Sequence, residues 1–321
     1  MSDKVFAFGH LPDPPDSRDF KLKTPTLSAL PVSVDLSSKL QPVKNQGRLG
    51  SCTAFATTAM VEFVRNKQEL LQWDASPLFT YYSTRKIENT IDSDSGAYVR
   101  DALKSVVSHG VAKETTWPYI VENFTIQPPA SAWTEALDHQ ALVYYRVNQT
   151  RDDVLGCLAD GYPFTFGIKL YDSFINTQTG FMVNNIVPIP NLSTDKFVGG
   201  HCMLATGYLS SQDGTVQITA RNSWGVYVGL EGYHNIPLEY ILDPAQSMDF
   251  WTIRSEERVD EDPTPPKPIV IPPDPVTPIV IVPPDPIVPE PFTPPENIWK
   301  QPRTYILIGF VILSLLFLLI R

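Results

Sequence analysis

The sequence predicts an α+β protein with a helical half, a β half and a cleft between them. Two observations lead there. Helix signals come first along the chain and strand signals follow from about residue 140, the order of an α+β protein rather than an alternating one. The globular part then ends near residue 258, where the composition changes abruptly: from Pro263 to Pro295, 15 of 33 residues are proline. A cleft between two halves is where a site is expected.

Residues 1–30 are irregular and rich in Pro and Asp. Residues 52–65 read as a helix with Phe55, Ala59 and Phe63 on one face and Ser51 at the N-cap position. Residues 77–89 and 97–108 read as two more, the second stopping at His109-Gly110. ALVYYRV, PFTFGIKL, HCMLATGYL and VQITARNSW are then short β-branched and aromatic runs bounded by turn residues, which is how strands read.

Residues 259–302 are of low complexity. Pro268–Val276 (PIVIPPDPV) is echoed by Pro278–Val288 (PIVIVPPDPIV), a pattern that favours polyproline II. At about 3.1 Å per residue such a stalk reaches roughly 130 Å. It reads as a spacer, with a proline-recognition partner as the alternative. Residues 305–320 are uncharged, and flanking Trp299, Lys300, Arg303 and Arg321 suit a bilayer interface. A single transmembrane helix over 304–321 is therefore expected.

The formal net charge is −10 and no basic residues cluster, so nucleic-acid binding has no electrostatic footprint. Glu256, Glu257, Asp260, Glu261 and Asp262 read as a solvated linker start. Three cysteines argue against a disulfide framework, and the N-terminal residues carry no signal-peptide pattern. A reducing compartment follows, with a tail-anchored protein facing the cytosol. Asn123, Asn148 and Asn191 match glycosylation sequons, which such a topology leaves bare.

The chemistry concentrates in Pro42–Phe55, PVKNQGRLGSCTAF. A thiol becomes a good nucleophile as thiolate, and a helix N-terminus favours the anion. Cys52 stands at such a start, and Gln46 can aim an amide at a developing oxyanion, with the Cys52 N–H as second donor. His201 opens an apolar strand, in GGHCMLATGY, and can serve as base. Asn222, in RNSWG, can fix its tautomer, and Trp224 can cover that bond. Cys157 and Cys202 read as core thiols, and His10, His109, His139 and His234 as surface or loop residues without metal-ligand spacing.

At these residues the sequence resembles the papain family over about residues 31–255. LPVSVD resembles the family's mature N-terminus, and PVKNQG, GSC-x-AF, the glycine-led histidine strand and NSWG occur in family order. The resemblance implies a two-lobed peptidase domain at 31–258 that cuts polypeptides without metal or cofactor. Cys52 is then nucleophile, His201 base and acid, Asn222 orienter and Gln46 oxyanion donor. It further implies that Gly96, in DSGA, pairs with the substrate backbone. Leu49 and Thr53 stand where the common pattern has a second cysteine and a tryptophan, Gly200 precedes the histidine, and Val228 replaces another tryptophan. The long inhibitory prosegment is missing; residues 1–30 resemble a short leader that either covers the cleft or packs on the surface. Two alternatives remain: a Cys–His acyl-transfer amidase, and a membrane-tethered structural or virion protein on the same scaffold.

Overall fold

The computed structural model describes residues 7–24, 29–175 and 185–256. The expected stalk at 259–302 and helix at 304–321 lie outside them; among the described residues no helix is long and apolar enough to cross a membrane.

Strand β1 (His10–Leu11) belongs to the N-terminal segment, and β2 (Ser33–Asp35) follows. The helical half then comprises α1 (Cys52–Lys67), α2 (Pro77–Glu88), the two-residue strand β3 (Ala97–Tyr98), α3 (Val99–Ser108) and α4 (Ala130–Ala136). The β half comprises β4 (Ala141–Arg146), α5 (Arg151–Ala159), β5 (Phe164–Tyr171), β6 (Phe197–Ser210), β7 (Val216–Arg221), β8 (Tyr233–Pro237), α6 (Leu238–Leu242) and β9 (Ser247–Glu256). Among the described residues these strands form one sheet in the order β4-β9-β5-β6-β7-β8, with β2 on β6.

Helix α1 is buried on every side from Cys52 to Arg65, not on the single Phe55–Ala59–Phe63 face that its periodicity suggests. The cause is its position between α2 and α3 and the sheet: Met60, Phe63 and Val64 share a core with Leu103, Leu204, Trp251 and Ile253. Its buried charged residues find partners inside: Glu62 accepts from Lys44 Nζ and from the Ala75 N–H, and Arg65 donates to the Leu71 carbonyl. Ser51 does occupy the N-cap position but makes no capping bond. Its hydroxyl instead lies 2.7 Å from the Tyr119 hydroxyl. Helix α2 is capped conventionally, by the Ser76 side chain accepting from the Phe79 N–H with Pro77 in the first turn.

The 97–108 helix begins two residues later than expected, because Ala97 and Tyr98 pair in parallel with His10 and Leu11. A strand partner from the N-terminal segment holds those residues extended. Gly110, at φ +73°, follows the helix, as the sequence implies. Strand β9 carries no alternating pattern, since it is covered on both faces where it lies between β4 and β5.

Two histidines are corrected. His10 and His234 are 7% and 1% exposed, core positions rather than surface ones. Cys157 and Cys202 are buried free thiols.

Candidate active site

The nucleophile candidate comes from the helical half and the imidazole from the β half. Cys52 is the first residue of α1 and fully buried. His201 lies on β6, paired in register with Ile168 of β5. They are brought together where α1 packs on β6: Cys52 and Cys202, the residue after His201, share one buried core. Asn222 follows β7 directly, its backbone N–H held by the Gly232 carbonyl at 2.9 Å.

His201 Nε2 lies 2.8 Å from Asn222 Oδ1. That bond uses the amide oxygen as acceptor, so Nε2 carries the proton and Nδ1 is the nitrogen left to take one. Among the described residues Nδ1 has no hydrogen-bond partner. Trp224 stacks on the imidazole, ring centres 4.5 Å apart at 26°, and excludes water from that side.

Gln46 is fully buried and tied to the same loop: its backbone N–H donates to the Ser223 carbonyl at 2.8 Å, and Ser223 Oγ donates to its Oε1. With Oε1 engaged, Nε2 must point the other way. It donates to the Leu49 carbonyl at 2.9 Å and to the Ala7 carbonyl at 3.2 Å. A carbonyl oxygen from a separate stretch of chain therefore sits where the sequence reading places a substrate oxyanion.

The N-terminal segment thus lies in the cleft, which decides between the two placements left open by the sequence. Phe8 sets its ring edge-on to both His201 and Trp224, at 6.3 and 6.0 Å. The Gly9 N–H donates to the Gly200 carbonyl at 3.2 Å, and the Gly9 carbonyl accepts from Ala97 N–H at 2.8 Å. His10 Nε2 lies 3.0 Å from Asp249 Oδ2. The track under these residues is glycine. A Cβ on Gly96 would lie 2.3 Å from the Gly9 carbonyl oxygen, one on Gly167 2.1 Å from the His10 ring, and one on Gly199 2.6 Å from the Phe8 ring. A Cβ on Gly200 would lie 2.7 Å from the His10 carbonyl oxygen.

This cover has an electrostatic consequence. Burial pushes the Cys52 thiol up to about 11, with the N–H groups of Cys202 and Gly9 opposing it. Burial pushes His201 down to about 4, against the Asn222 bond. Both shifts have the same cause: a charge in a dry site is poorly solvated. With the segment in place, thiol and imidazole are both neutral between those values.

The sequence reading named Cys52, His201, Asn222, Gln46, Gly96 and Trp224, and all six lie at this cleft. It missed two contributors. Ser223 orients the Gln46 amide, a role no local pattern signals. His234, on β8, accepts from Asn222 Nδ2 at its Nε2, 3.2 Å away. Its imidazole is driven down to about 3, by burial first and by His201 second, so it stays neutral. Among the described residues no three His, Cys, Asp or Glu side chains are grouped to hold a metal ion.

The family model of the papain family cysteine proteases matches residues 30–241, two thirds of the chain and the whole cleft. The chain belongs to the papain family of cysteine peptidases. It is accordingly a hydrolase whose substrates are polypeptides. It is 34% identical over 278 residues to a peptidase C1-like protein of Acanthamoeba polyphaga mimivirus, covering 77% of this chain and 86% of that one. It is 26% identical to cysteine proteinase 3 of Entamoeba histolytica, of whose length it spans 63%. Among solved structures it resembles xylellain, a cysteine protease from Xylella fastidiosa, with TM-score 0.73 and 34% identity over 79% of this chain and 98% of the other. Bromelain from Ananas comosus, at 20% identity and TM-score 0.53 over 70% of this chain and 100% of the other, shares the fold.

Proposed function

We propose that this chain is a membrane-tethered cysteine endopeptidase using Cys52, His201 and Asn222, with Gln46 as oxyanion donor and residues 7–24 as an internal cover. The observation that carries the catalytic part of this reading is the Ala7 carbonyl, held 3.2 Å from Gln46 Nε2, where a scissile carbonyl would sit. Once the cover leaves, water and substrate dipoles enter, and the Cys52 proton moves to His201 Nδ1. The thiolate attacks the carbonyl carbon, and the oxyanion is held by Gln46 Nε2 and the Cys52 N–H. His201 gives its proton to the leaving amine. It then takes one from water, which attacks the thioester and releases the acid and Cys52. Asn222 keeps the imidazole in the tautomer both transfers need. Gly96 and its neighbour Ala97 hold the substrate backbone, and Trp224 shields His201.

The proline-rich residues 259–302 serve as a spacer to a helix at 304–321 that anchors the chain in a membrane, with the peptidase facing the cytosol. The test of the chemistry is labelling by an epoxide thiol inhibitor together with hydrolysis of a peptide substrate, in a chain whose segment has been displaced. Cys52→Ala abolishes both and Cys157→Ala neither; turnover surviving Cys52→Ala refutes the assignment. The topology is tested by protease protection of sealed membranes. A shielded peptidase domain, or glycan on Asn123, Asn148 or Asn191, refutes the cytosolic orientation.

A further inference from the structure

Beyond the catalytic cleft, the N-terminal segment ends in a second, charged contact. Arg100, in the first turn of α3, is 6% exposed. Its guanidinium grips one carboxylate with a two-point fork: Nε to Asp19 Oδ1 at 2.9 Å and NH2 to Asp19 Oδ2 at 2.8 Å. Its NH1 donates to the Pro14 carbonyl at 2.7 Å. Arg146, at the end of β4, adds NH1 to Asp19 Oδ2 at 3.2 Å. Both guanidinium carbons stand over the Trp251 ring of β9, 5.7 and 5.1 Å from its centre. Beside them Asp13 accepts from the Arg100 backbone N–H at 3.1 Å and from Trp251 Nε1 at 2.9 Å.

The donors and the acceptors come from different parts of the chain. Every donor belongs to the folded domain, on α3, β4 and β9. Asp13, Pro14 and Asp19 belong to the segment that covers the cleft. Arg146 also has a domain partner, Asp249, at 3.1 Å. The acceptors of the Arg100 guanidinium, Asp19 and the Pro14 carbonyl, leave with the segment. The domain then presents an uncovered two-point fork for a carboxylate, backed by an aromatic face, just past the Ala97–Tyr98 strand that the segment pairs with. A planar fork on two oxygens is the strong, geometry-specific form of the interaction, and lysine cannot reproduce it. The two sites for Asp13 and Asp19 differ: Asp13 takes a backbone and an indole N–H, whereas Asp19 takes the two-point guanidinium fork. The selective position is therefore that of Asp19.

We propose that Arg100 and Arg146, set over Trp251, form a carboxylate-binding exosite that Asp19 fills in the covered chain and that selects polypeptide substrates carrying an acidic side chain on the Gly96 side of the bond to be cut. The selection of substrates rests on the peptidase reading above; the binding does not. One contact therefore has two uses. It closes the cover over the cleft, and after the cover leaves it draws in acidic chains despite the net charge of −10.

Two measurements on the full chain test this. The first uses Cys52→Ala combined with Gly9→Ala and Asp19→Asn, which is inert, has its cover weakened and no longer fills the fork with its own carboxylate. A fluorescent peptide of residues 7–20 is titrated in and compared with its twin carrying Asn for Asp19. The Asp19 peptide binds roughly tenfold tighter, the scale of one charge-assisted pair. The difference shrinks with salt and disappears in Arg100→Met and in Arg146→Met, the second variant guarding against misfolding in the first. Equal affinities, or a difference that survives both arginine variants, overturn the proposal. The second measurement restores Cys52 and scans Asp against Asn along a peptide substrate. A preference in kcat/KM for Asp on the Gly96 side of the cleaved bond, lost in Arg146→Met, is the expected result, and a preference confined to the other side overturns the selection. Equal rates for every Asp–Asn pair overturn the selection. A chain that binds the acidic peptide but cuts none refutes the peptidase reading instead, so the two failures are told apart.

Discussion

Adding one methyl group to the N-terminal segment should switch the protein on. A Cβ on Gly9 would lie 1.8 Å from the Gly50 carbonyl oxygen and 2.4 Å from its carbon. Both are backbone atoms beside the start of α1, so neither can rotate away. The segment must retreat by more than about 1 Å, which carries hydrogen bonds of ordinary length beyond bonding range. Three lie at stake: Gln46 Nε2 to the Ala7 carbonyl, Gly9 N–H to the Gly200 carbonyl, and Ala97 N–H to the Gly9 carbonyl, at 3.2, 3.2 and 2.8 Å. At about 1 kcal/mol net for each, Gly9→Ala shifts the covered–uncovered equilibrium by about 3 kcal/mol. That is roughly a hundredfold gain in the uncovered population. The assay is the rate of Cys52 alkylation by iodoacetamide in the intact chain at pH 7, with complete labelling in denaturant as the reference. The rate should rise by about that factor, and peptide hydrolysis with it. A Gly9→Ala chain that labels as slowly as the parent, with its thermal transition intact, refutes the argument that this segment controls access.

The remaining predictions use the Gly9→Ala background. Gln46→Ala should lower kcat by roughly 10²–10³ with little change in KM, the usual cost of one oxyanion donor; a change confined to KM removes Gln46 from that role. His234→Leu should lower kcat several-fold and raise the pH at which Cys52 becomes alkylatable, because Asn222 then holds the His201 imidazolium less well, and His234→Asn should restore part of the loss; an unchanged pH profile in His234→Leu excludes a positioning role. In the covered parent chain, Cys52 is raised to about 11 and His201 lowered to about 4. Ultraviolet difference spectra should therefore show no thiolate absorbance at Cys52 from pH 5 to pH 9, whereas Gly9→Ala should show it near neutrality; thiolate in the parent at pH 7 contradicts the desolvation argument.

Much of this site was legible because its parts are local. Cys52 announces itself by standing after two glycines at the start of an apolar run, and Asn222 and Trp224 come as one short motif. The order of helices and strands likewise reports the two halves. What stayed hidden depends on partners distant in the chain. Helix α3 loses two residues to strand β3 only because His10 and Leu11 lie alongside them. His10 and His234 read as surface residues because nothing nearby in sequence reveals Asp249 or Asn222 as their partners. Ser51 looked like a cap, yet its hydroxyl is claimed by Tyr119, 68 residues away. The segment's place in the cleft could not be decided from its own composition, since Pro and Asp suit a surface strap equally well. The signal lay in the groove instead: Gly96, Gly167, Gly199 and Gly200 are spread over the sequence and meet only on the folded surface.

That groove carries a thermodynamic burden. Gly167, Gly199 and Gly200 lie within β5 and β6, and glycine inside a strand orders at a larger entropic loss than alanine and packs nothing. At roughly 0.5–1 kcal/mol for each, the bare floor removes about 1.5–3 kcal/mol from a domain whose whole stability is of the order of 10 kcal/mol. Alanine at these positions would return part of that while filling the space Phe8 and His10 now occupy. Selection for heat resistance alone would therefore drift toward a sturdier sheet that no peptide could enter, and variants screened for a higher melting temperature should be checked for a blocked groove before they are kept.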